Sequence, residues 1–370
     1  MNTERLLQTF SELVSIDNPS LSERLVCDYI TSHLKKIGFT TYEDNVGEEL
    51  GGNCGNLYGF LQGDEPLKPL MFSAHMDAVE PSLGKQAIFH EDGSITSDGT
   101  TVLGADALAG ISAILEAITT IKENNLSHRP IEVLFFVAEE IYGLGSKIFD
   151  YSILKSKESY TLDLSGKVGS AAYKAPTLIS FNITIKGKSG HTGFTCDESI
   201  HTIAIVSEAI TKLKMGRVDK DSTINIGLIQ GGLAPNIVPD SCEIKGEIRS
   251  HTHSKAIDLV NETIDVFSKT AKKYGATLIS KDKIHIKAYE TPLNHSVVKR
   301  FQNVCAELNI SPALHSTLGG SDNNNIEEHG INGLVLATAM NNTHSCEEYS
   351  SVSELENITK IVINLMRSRD

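Results

Sequence analysis

Short apolar runs that each close on a histidine or a carboxylate constrain this chain more than any other feature. Pro69 to Ala74 leads into His75-Met76-Asp77, Ile131 to Val137 into Ala138-Glu139-Glu140, and Tyr160 to Leu162 into Asp163. Gly104-Ala105-Asp106 and Asn342-Thr343-His344 close two further apolar segments in the same way. Runs with so little polar content suit strands buried on both faces of a sheet, and helices between them make that sheet largely parallel. The Ala-, Leu- and Ile-rich stretch 107–121 is the clearest of those helices. Leu6, Leu7, Phe10, Leu13 and Val14 repeat at helical spacing in another. Ser20-Leu21-Ser22-Glu23 has the pattern of a capping box opening a second helix that ends near Gly38.

The pattern changes near residue 175. Strands over 178–185, 224–229, 242–248 and 278–286, with helices over 199–213 and 255–274, spell βαββαβ, the ferredoxin-like plan. Helices near 295–308 and 352–367 then restore the α/β character. The expected fold is α/β: a mixed, mostly parallel sheet with helices on both faces, interrupted by the ferredoxin-like unit. The expected divisions are a first catalytic part (1–174), an inserted dimerisation or lid domain (175–290) and a second catalytic part (291–370).

A formal charge of −14 and the lack of a basic run argue against a surface for nucleic acid or an anionic membrane, which needs clustered Lys and Arg. No apolar stretch approaches the roughly 18 residues of a membrane span. The first residues enter an amphipathic helix without a signal-type apolar region, and the six cysteines form no C-x-x-C pair. Both points make a cytoplasmic protein with reduced thiols the expectation.

Taken singly, the polar strand ends have ordinary readings. Asp106 can cap the helix that follows, His75 can be a satisfied core histidine, and His344 a loop residue. One of Glu139 and Glu140 can face solvent while the other caps a helix. Two buried neighbouring carboxylates repel, however, unless one takes a proton or a cation lies close. Together, two histidines and four or five carboxylates at strand ends suit divalent ions such as Zn, Mn or Co. They lie where open α/β sheets bind ligands. The set is too large for a single catalytic zinc and fits two metals about 3.5–4 Å apart sharing a carboxylate.

These residues resemble the two-zinc exopeptidases of metallopeptidase family twenty, most of all its peptidase T-like branch. The resemblance spans nearly the whole chain. It rests on Ser73-Ala74-His75-Met76-Asp77, Leu103-Gly104-Ala105-Asp106, Glu139-Glu140 with Gly143-Leu144-Gly145, and Asp163. It continues through Gly190-His191, Gly231-Gly232 with Asn236-Ile237-Val238-Pro239, Arg249, Gly319-Gly320-Ser321-Asp322 and His344 before Glu347-Glu348-Tyr349.

The resemblance implies that His75 and Asp163 hold one metal, Glu140 and His344 the other, and that Asp106 bridges them. Asp77 would orient His75, and Glu139 would act as general base and then acid. It implies that His191 reaches the active site of a partner subunit and stabilises an oxyanion. Asn236 and Arg249 would hold substrate polar groups and a carboxylate, and Gly319 and Gly320 would let the backbone approach the substrate. The implied cofactors are two divalent ions, Zn first, with Co or Mn suiting the same donors. The implied activity is hydrolysis of short peptides from the N-terminus by a homodimer joined through the inserted domain. A deacylase or carboxypeptidase of the same family, or a catalytically silent homologue, are the alternatives. One departure stands out: after the bridging aspartate the family usually carries an acidic or small residue and then lysine, where this chain has Ala107-Leu108.

Overall fold

The helix Ala105–Glu123 organises the first part of the molecule, because every residue from Ala105 to Ile121 is buried. Ala and Gly let it lie close to the sheet: a Cβ on Gly110 would stand 2.5 Å from the backbone oxygen of Leu162. Within the helix the buried acid Glu116 is met by the guanidinium of Arg5 at 2.7 Å. The computed structural model describes residues 1–64 and 66–369, which group into two compact units. The first comprises Met1–Lys174, Glu290–Ser316 and Ser321–Asp370, the second Ala175–Tyr289 with Thr317–Gly320.

The main sheet of the first unit runs in the order Thr40–Glu43, Leu57–Leu61, Ile131–Phe136, Leu70–His75, Glu158–Leu164, Asn332–Ala337, Ser170–Ala175. Its centre is parallel: Leu70–His75 pairs in parallel with Ile131–Phe136 and with Glu158–Leu164, and Asn332–Ala337 pairs in parallel with Glu158–Leu164. The flanking pairs are antiparallel, which makes the sheet mixed. All six residues of both Leu70–His75 and Ile131–Phe136 are buried, as the continuous apolar runs require.

In the second unit the strands Thr177–Lys186, Ser222–Gly231, Ser241–Ser250 and Thr277–Ile286 alternate with the helices Thr202–Thr211 and His253–Lys273 in the βαββαβ order. A short strand, Gly216–Asp219, is added at one edge as a hairpin with Ser222–Gly231. Every pairing in this sheet is antiparallel. The helices cover a core that includes Ile179, Phe181, Ile183, Val206, Val260 and Phe267. No helix among the described residues is long and apolar enough to cross a membrane.

The capping box expected at Ser20 does not form. Leu21 takes a left-handed φ of 70°, and the helix begins at Arg24 with no side-chain cap. Ser20 Oγ donates instead to Asp77 Oδ2 at 2.6 Å. The Glu23 carboxylate accepts from the N–H groups of Leu21 and of Ala138, each at 2.9 Å. Both residues of the apparent capping pattern are committed to the strand ends instead.

Candidate metal centre

Parallel strands deliver their side chains to one edge, and the order of this sheet brings the strands ending at His75, Phe136 and Leu164 side by side. His75 Nε2 lies 3.0 Å from Asp106 Oδ1 and 3.5 Å from Asp163 Oδ1. His344 Nε2 lies 3.1 Å from Glu140 Oε2 and 3.4 Å from Asp106 Oδ2. Asp106 thus turns one oxygen to each histidine. It makes no side-chain cap to the helix; its carboxylate faces the two imidazoles. Donor atoms of His75, Asp106 and Asp163 lie within 4.8 Å of one another, as do those of Asp106, Glu140 and His344. A third such group joins His75, Glu139 and Glu140.

Asp77 is fully buried and fixes the turn that carries the two glutamates. Its Oδ1 accepts from the Glu139 N–H at 3.0 Å and its Oδ2 from the Glu140 N–H at 3.1 Å. The ring of His75 is oriented at Nδ1 by the backbone oxygen of Asp77 at 3.0 Å, with the carboxylate behind it at 3.4 Å. Two non-glycine residues here hold left-handed backbones, Ala138 at φ 55° and His344 at φ 62°. Each costs on the order of 1–3 kcal/mol, a strain tolerated where a side chain must be aimed.

Several residues important to this geometry carry no local signature in the sequence. Asn18 donates from Nδ2 to the backbone oxygen of Met76 at 2.6 Å. Buried Glu348 accepts from the N–H groups of Gly104 (2.7 Å) and Asp106 (3.0 Å), so it carries the loop that presents Asp106. Ala107 and Leu108 are fully buried, and the stem of a different lysine, Lys85, packs against Gly104. The Lys85 ammonium donates to Asn18 Oδ1 at 2.6 Å and to the backbone oxygen of Ile16. A buried cation therefore stands behind the Asp106 loop even though position 108 is apolar.

The electrostatics favour cations in the cluster. Burial and then the charge of Asp163 push the Glu139 carboxyl well above its ordinary range. Burial raises Glu140 and Asp163 as well. For Asp106 the rise expected from burial is outweighed by hydrogen bonds to His344 and His75, and its pKa falls. His344 is pushed up to about 10, first by Asp106 and then by Glu140. Glu140 Oε1 is buried without a hydrogen-bond partner. Crowded N and O donors with an orphaned carboxylate oxygen and proton-hungry acids fit a pair of divalent ions better than they fit one another.

Glu23 gives a pH signature nearby. Its carboxyl is pushed up to about 7 from 4.5 by burial and then by the charge of Asp77, and its Oε2 has no partner. The folded chain thus keeps this proton to a higher pH than the unfolded chain. Its contribution to stability is complete below 4.5 and is lost as pH rises through 7. Glu23→Gln keeps an oxygen for the two N–H groups. It is expected to flatten the decline between pH 4.5 and 7 and to raise stability at pH 8 by on the order of 1 kcal/mol, read by urea unfolding at each pH.

The remaining expected site residues lie in the second unit. His191 is exposed, accepts from the Gly193 N–H at Nδ1 (3.1 Å) and lies against the Phe194 ring at a tilt, with centroids 4.6 Å apart. Its two-residue strand Gly190–His191 pairs with Ile237–Val238, which places Asn236 beside it; the Thr192 N–H donates to the Asn236 oxygen at 3.3 Å. Arg249 pairs with Glu247 at 2.8 Å and donates to the Leu318 oxygen at 2.9 Å, next to Gly319 and Gly320.

Comparison with known proteins points one way. Residues 173–275 match the model of a peptidase dimerisation domain of the M20 type. The chain is 33% identical over 366 residues to the uncharacterised protein YqjE of Bacillus subtilis, covering 99% of this chain and 98% of that one. Its fold is similar to that of a tripeptidase from Staphylococcus aureus, with a TM-score of 0.97 and 31% identity over 99% of this chain and 98% of that one. It is also similar to the aminopeptidase PepT of Bacillus cereus, with a TM-score of 0.93, 33% identity and the same coverage.

Proposed function

Since this chain belongs to the M20 peptidase family, in its peptidase T-like branch, we propose that it is an exopeptidase that releases the N-terminal residue of short peptides at a two-metal centre. The observation that carries this reading is Asp106, which turns one carboxylate oxygen to each of two donor groups. His75 and Asp163 would hold one ion, Glu140 and His344 the other, and Asp106 both. Bound there, divalent ions would lend Lewis acidity to the scissile carbonyl and acidify a water toward neutral pH. Zinc suits this mix of imidazole and carboxylate donors, as do cobalt and manganese.

Glu139 is the general base in this reading. Half-buried and with a high proton affinity, it takes the proton of the attacking water and returns it to the leaving amine. Asp77 keeps Glu139 and Glu140 on their turn through the two amide hydrogen bonds and orients His75. Arg249, a rigid fork of donors, suits a peptide carboxylate, and Asn236 a neighbouring carbonyl. His191 would donate to the oxyanion of a second subunit's substrate. The dimerisation-domain match supports a homodimer through the inserted unit, as do the exposed apolar side chains Phe194 (86%), three residues after His191, and Leu233 (89%), three residues before Asn236. The six free cysteines support a cytoplasmic location.

The test is release of amino acids from di-, tri- and tetrapeptides and from N-acyl amino acids by metal-loaded protein, with and without chelator. Tripeptides are expected to be the best substrates, with turnover lost on chelation and restored by Zn, Co or Mn. Faster cleavage of N-acyl amino acids, or two bound metals with no hydrolysis of any member, would overturn the assignment.

A further inference from the structure

The strand Ser241–Ser250 is internal to the sheet of the second unit, with Ser222–Gly231 on one side and Thr177–Lys186 on the other. Side chains alternate along it, and Cys242, Ile244 and Ile248 turn to the helix-covered core. Glu247 and Arg249, two residues apart, therefore share the opposite face. Their side chains keep 30% and 28% of their surface in solvent, so a ligand can reach both.

Arg249 is not a free cation. Its Nε donates to Glu247 Oε1 at 2.8 Å and its Nη2 to Glu247 Oε2 at 3.3 Å. Its Nη1 donates to the Leu318 oxygen at 2.9 Å. A guanidinium has five N–H groups, one on Nε and two on each terminal nitrogen. Among the described residues these three bonds leave one N–H on Nη1 and one on Nη2. Glu247 fills one edge of the fork, and the terminal nitrogens keep a pair of donors for a second carboxylate.

The plane of the guanidinium is set from two sides before any ligand arrives, by Glu247 and by the loop that carries Leu318. That loop is itself anchored: His251 donates from Nε2 to the Thr317 oxygen at 2.7 Å, and the Gly319 N–H donates to Thr317 Oγ1 at 2.9 Å. The cross-strand neighbours of Glu247 are Asn225 and Ser180, neither of them charged. Lys245, on the same face, pairs with Glu243 at 3.9 Å.

Arg249 and Glu247 together are neutral. A peptide's C-terminal carboxylate on the two remaining N–H groups makes the cluster singly negative. An acidic side chain on that same last residue then meets net repulsion, whereas an arginine without Glu247 would attract it. We propose that Glu247 determines specificity at the C-terminal residue of the peptide: it lets Arg249 hold one carboxylate and turns away a last residue that brings a second. The proposal rests on the reading of Arg249 as the holder of the peptide carboxylate.

The test is kcat/KM of the metal-loaded protein for alanyl-alanyl-glutamine, alanyl-alanyl-glutamate and the C-terminal amide of the first. The wild type is expected to prefer the glutamine peptide over the glutamate peptide by at least about fivefold, through KM. In Glu247→Gln, which keeps an oxygen for Arg249 and removes the charge, the preference should shrink to less than about twofold. Each preference is a ratio within one protein, so a change in folded fraction cancels. A second measurement needs no variant: raising the salt from about 0.02 to 1 M should at least halve the wild-type preference. Equal cleavage of both peptides by the wild type, the same preference in both proteins, or a preference indifferent to salt would each overturn the proposal. The amide tests the reading beneath it, with at least about tenfold slower cleavage than the free acid expected. An amide cleaved as fast as the acid would remove Arg249 from carboxylate binding, and the proposal with it.

Discussion

Glu139→Gln is expected to lower kcat by about 10²–10⁴ while both metal ions stay bound. The substitution keeps the shape of the side chain and the backbone N–H that donates to Asp77 at 3.0 Å, so the turn carrying Glu140 should be undisturbed. What it removes is a carboxylate whose proton affinity is raised by burial and then by Asp163. An amide cannot take up the proton of the attacking water or return it to the departing amine. Metal content by elemental analysis and single-turnover hydrolysis of a tripeptide separate the two roles this residue could have. Loss of one metal per chain would make Glu139 a ligand instead, a role its place in the group with His75 and Glu140 also permits geometrically. Near-normal turnover with full metal would remove it from the chemistry altogether.

Asp106→Asn should be the most damaging single change to metal binding. One Asp106 oxygen faces His75 at 3.0 Å and the other His344 at 3.4 Å. Asparagine keeps only one acceptor and turns an NH2 group toward the opposite donor set. Both ions lose a shared anionic donor, so retention should fall by more than the 10–100-fold that loss of an outer-sphere partner causes. Dialysis against a weak chelator should leave the variant with fewer than about one ion per chain while the wild type keeps two. Hydrolysis should fall to background. Retention of two tightly held ions by the variant would show that Asp106 does not bridge.

The parallel core was legible because its strands are buried on both faces, which leaves an unbroken apolar run and makes a terminal histidine or acid conspicuous. His75, Glu139, Glu140 and Asp163 all announce themselves in this way. The βαββαβ order of the inserted segment was legible from alternation, although the hairpin strand Gly216–Asp219 was not, since half of its residues are exposed and it lacks a buried face. Ser20 and Glu23 were misread for a physical reason. A serine and a glutamate three residues apart form a capping box only if the backbone between them is helical, and here the two side chains find partners 57 and 115 residues away. Asn18, Lys85 and Glu348 act through backbone groups far away in the chain, which leaves no periodicity or spacing to notice.

The place of Asn332–Ala337 in the main sheet has a consequence for how the chain is made. This strand lies between Glu158–Leu164 and Ser170–Ala175, yet it is synthesised only after the whole inserted unit. A ribosome that has delivered residues 1–289 has supplied every proposed metal donor except His344. It has also left one edge of the apolar strand Glu158–Leu164 without its parallel partner. The inserted unit, a contiguous segment apart from Thr317–Gly320, can fold during this interval. The first unit meanwhile carries an open, apolar sheet edge of the kind that recruits other chains. The nascent enzyme is therefore silent and adhesive until the strand Asn332–Ala337 arrives, and the same event closes the sheet and lets the loop that follows it, bearing His344, reach Asp106 and Glu140.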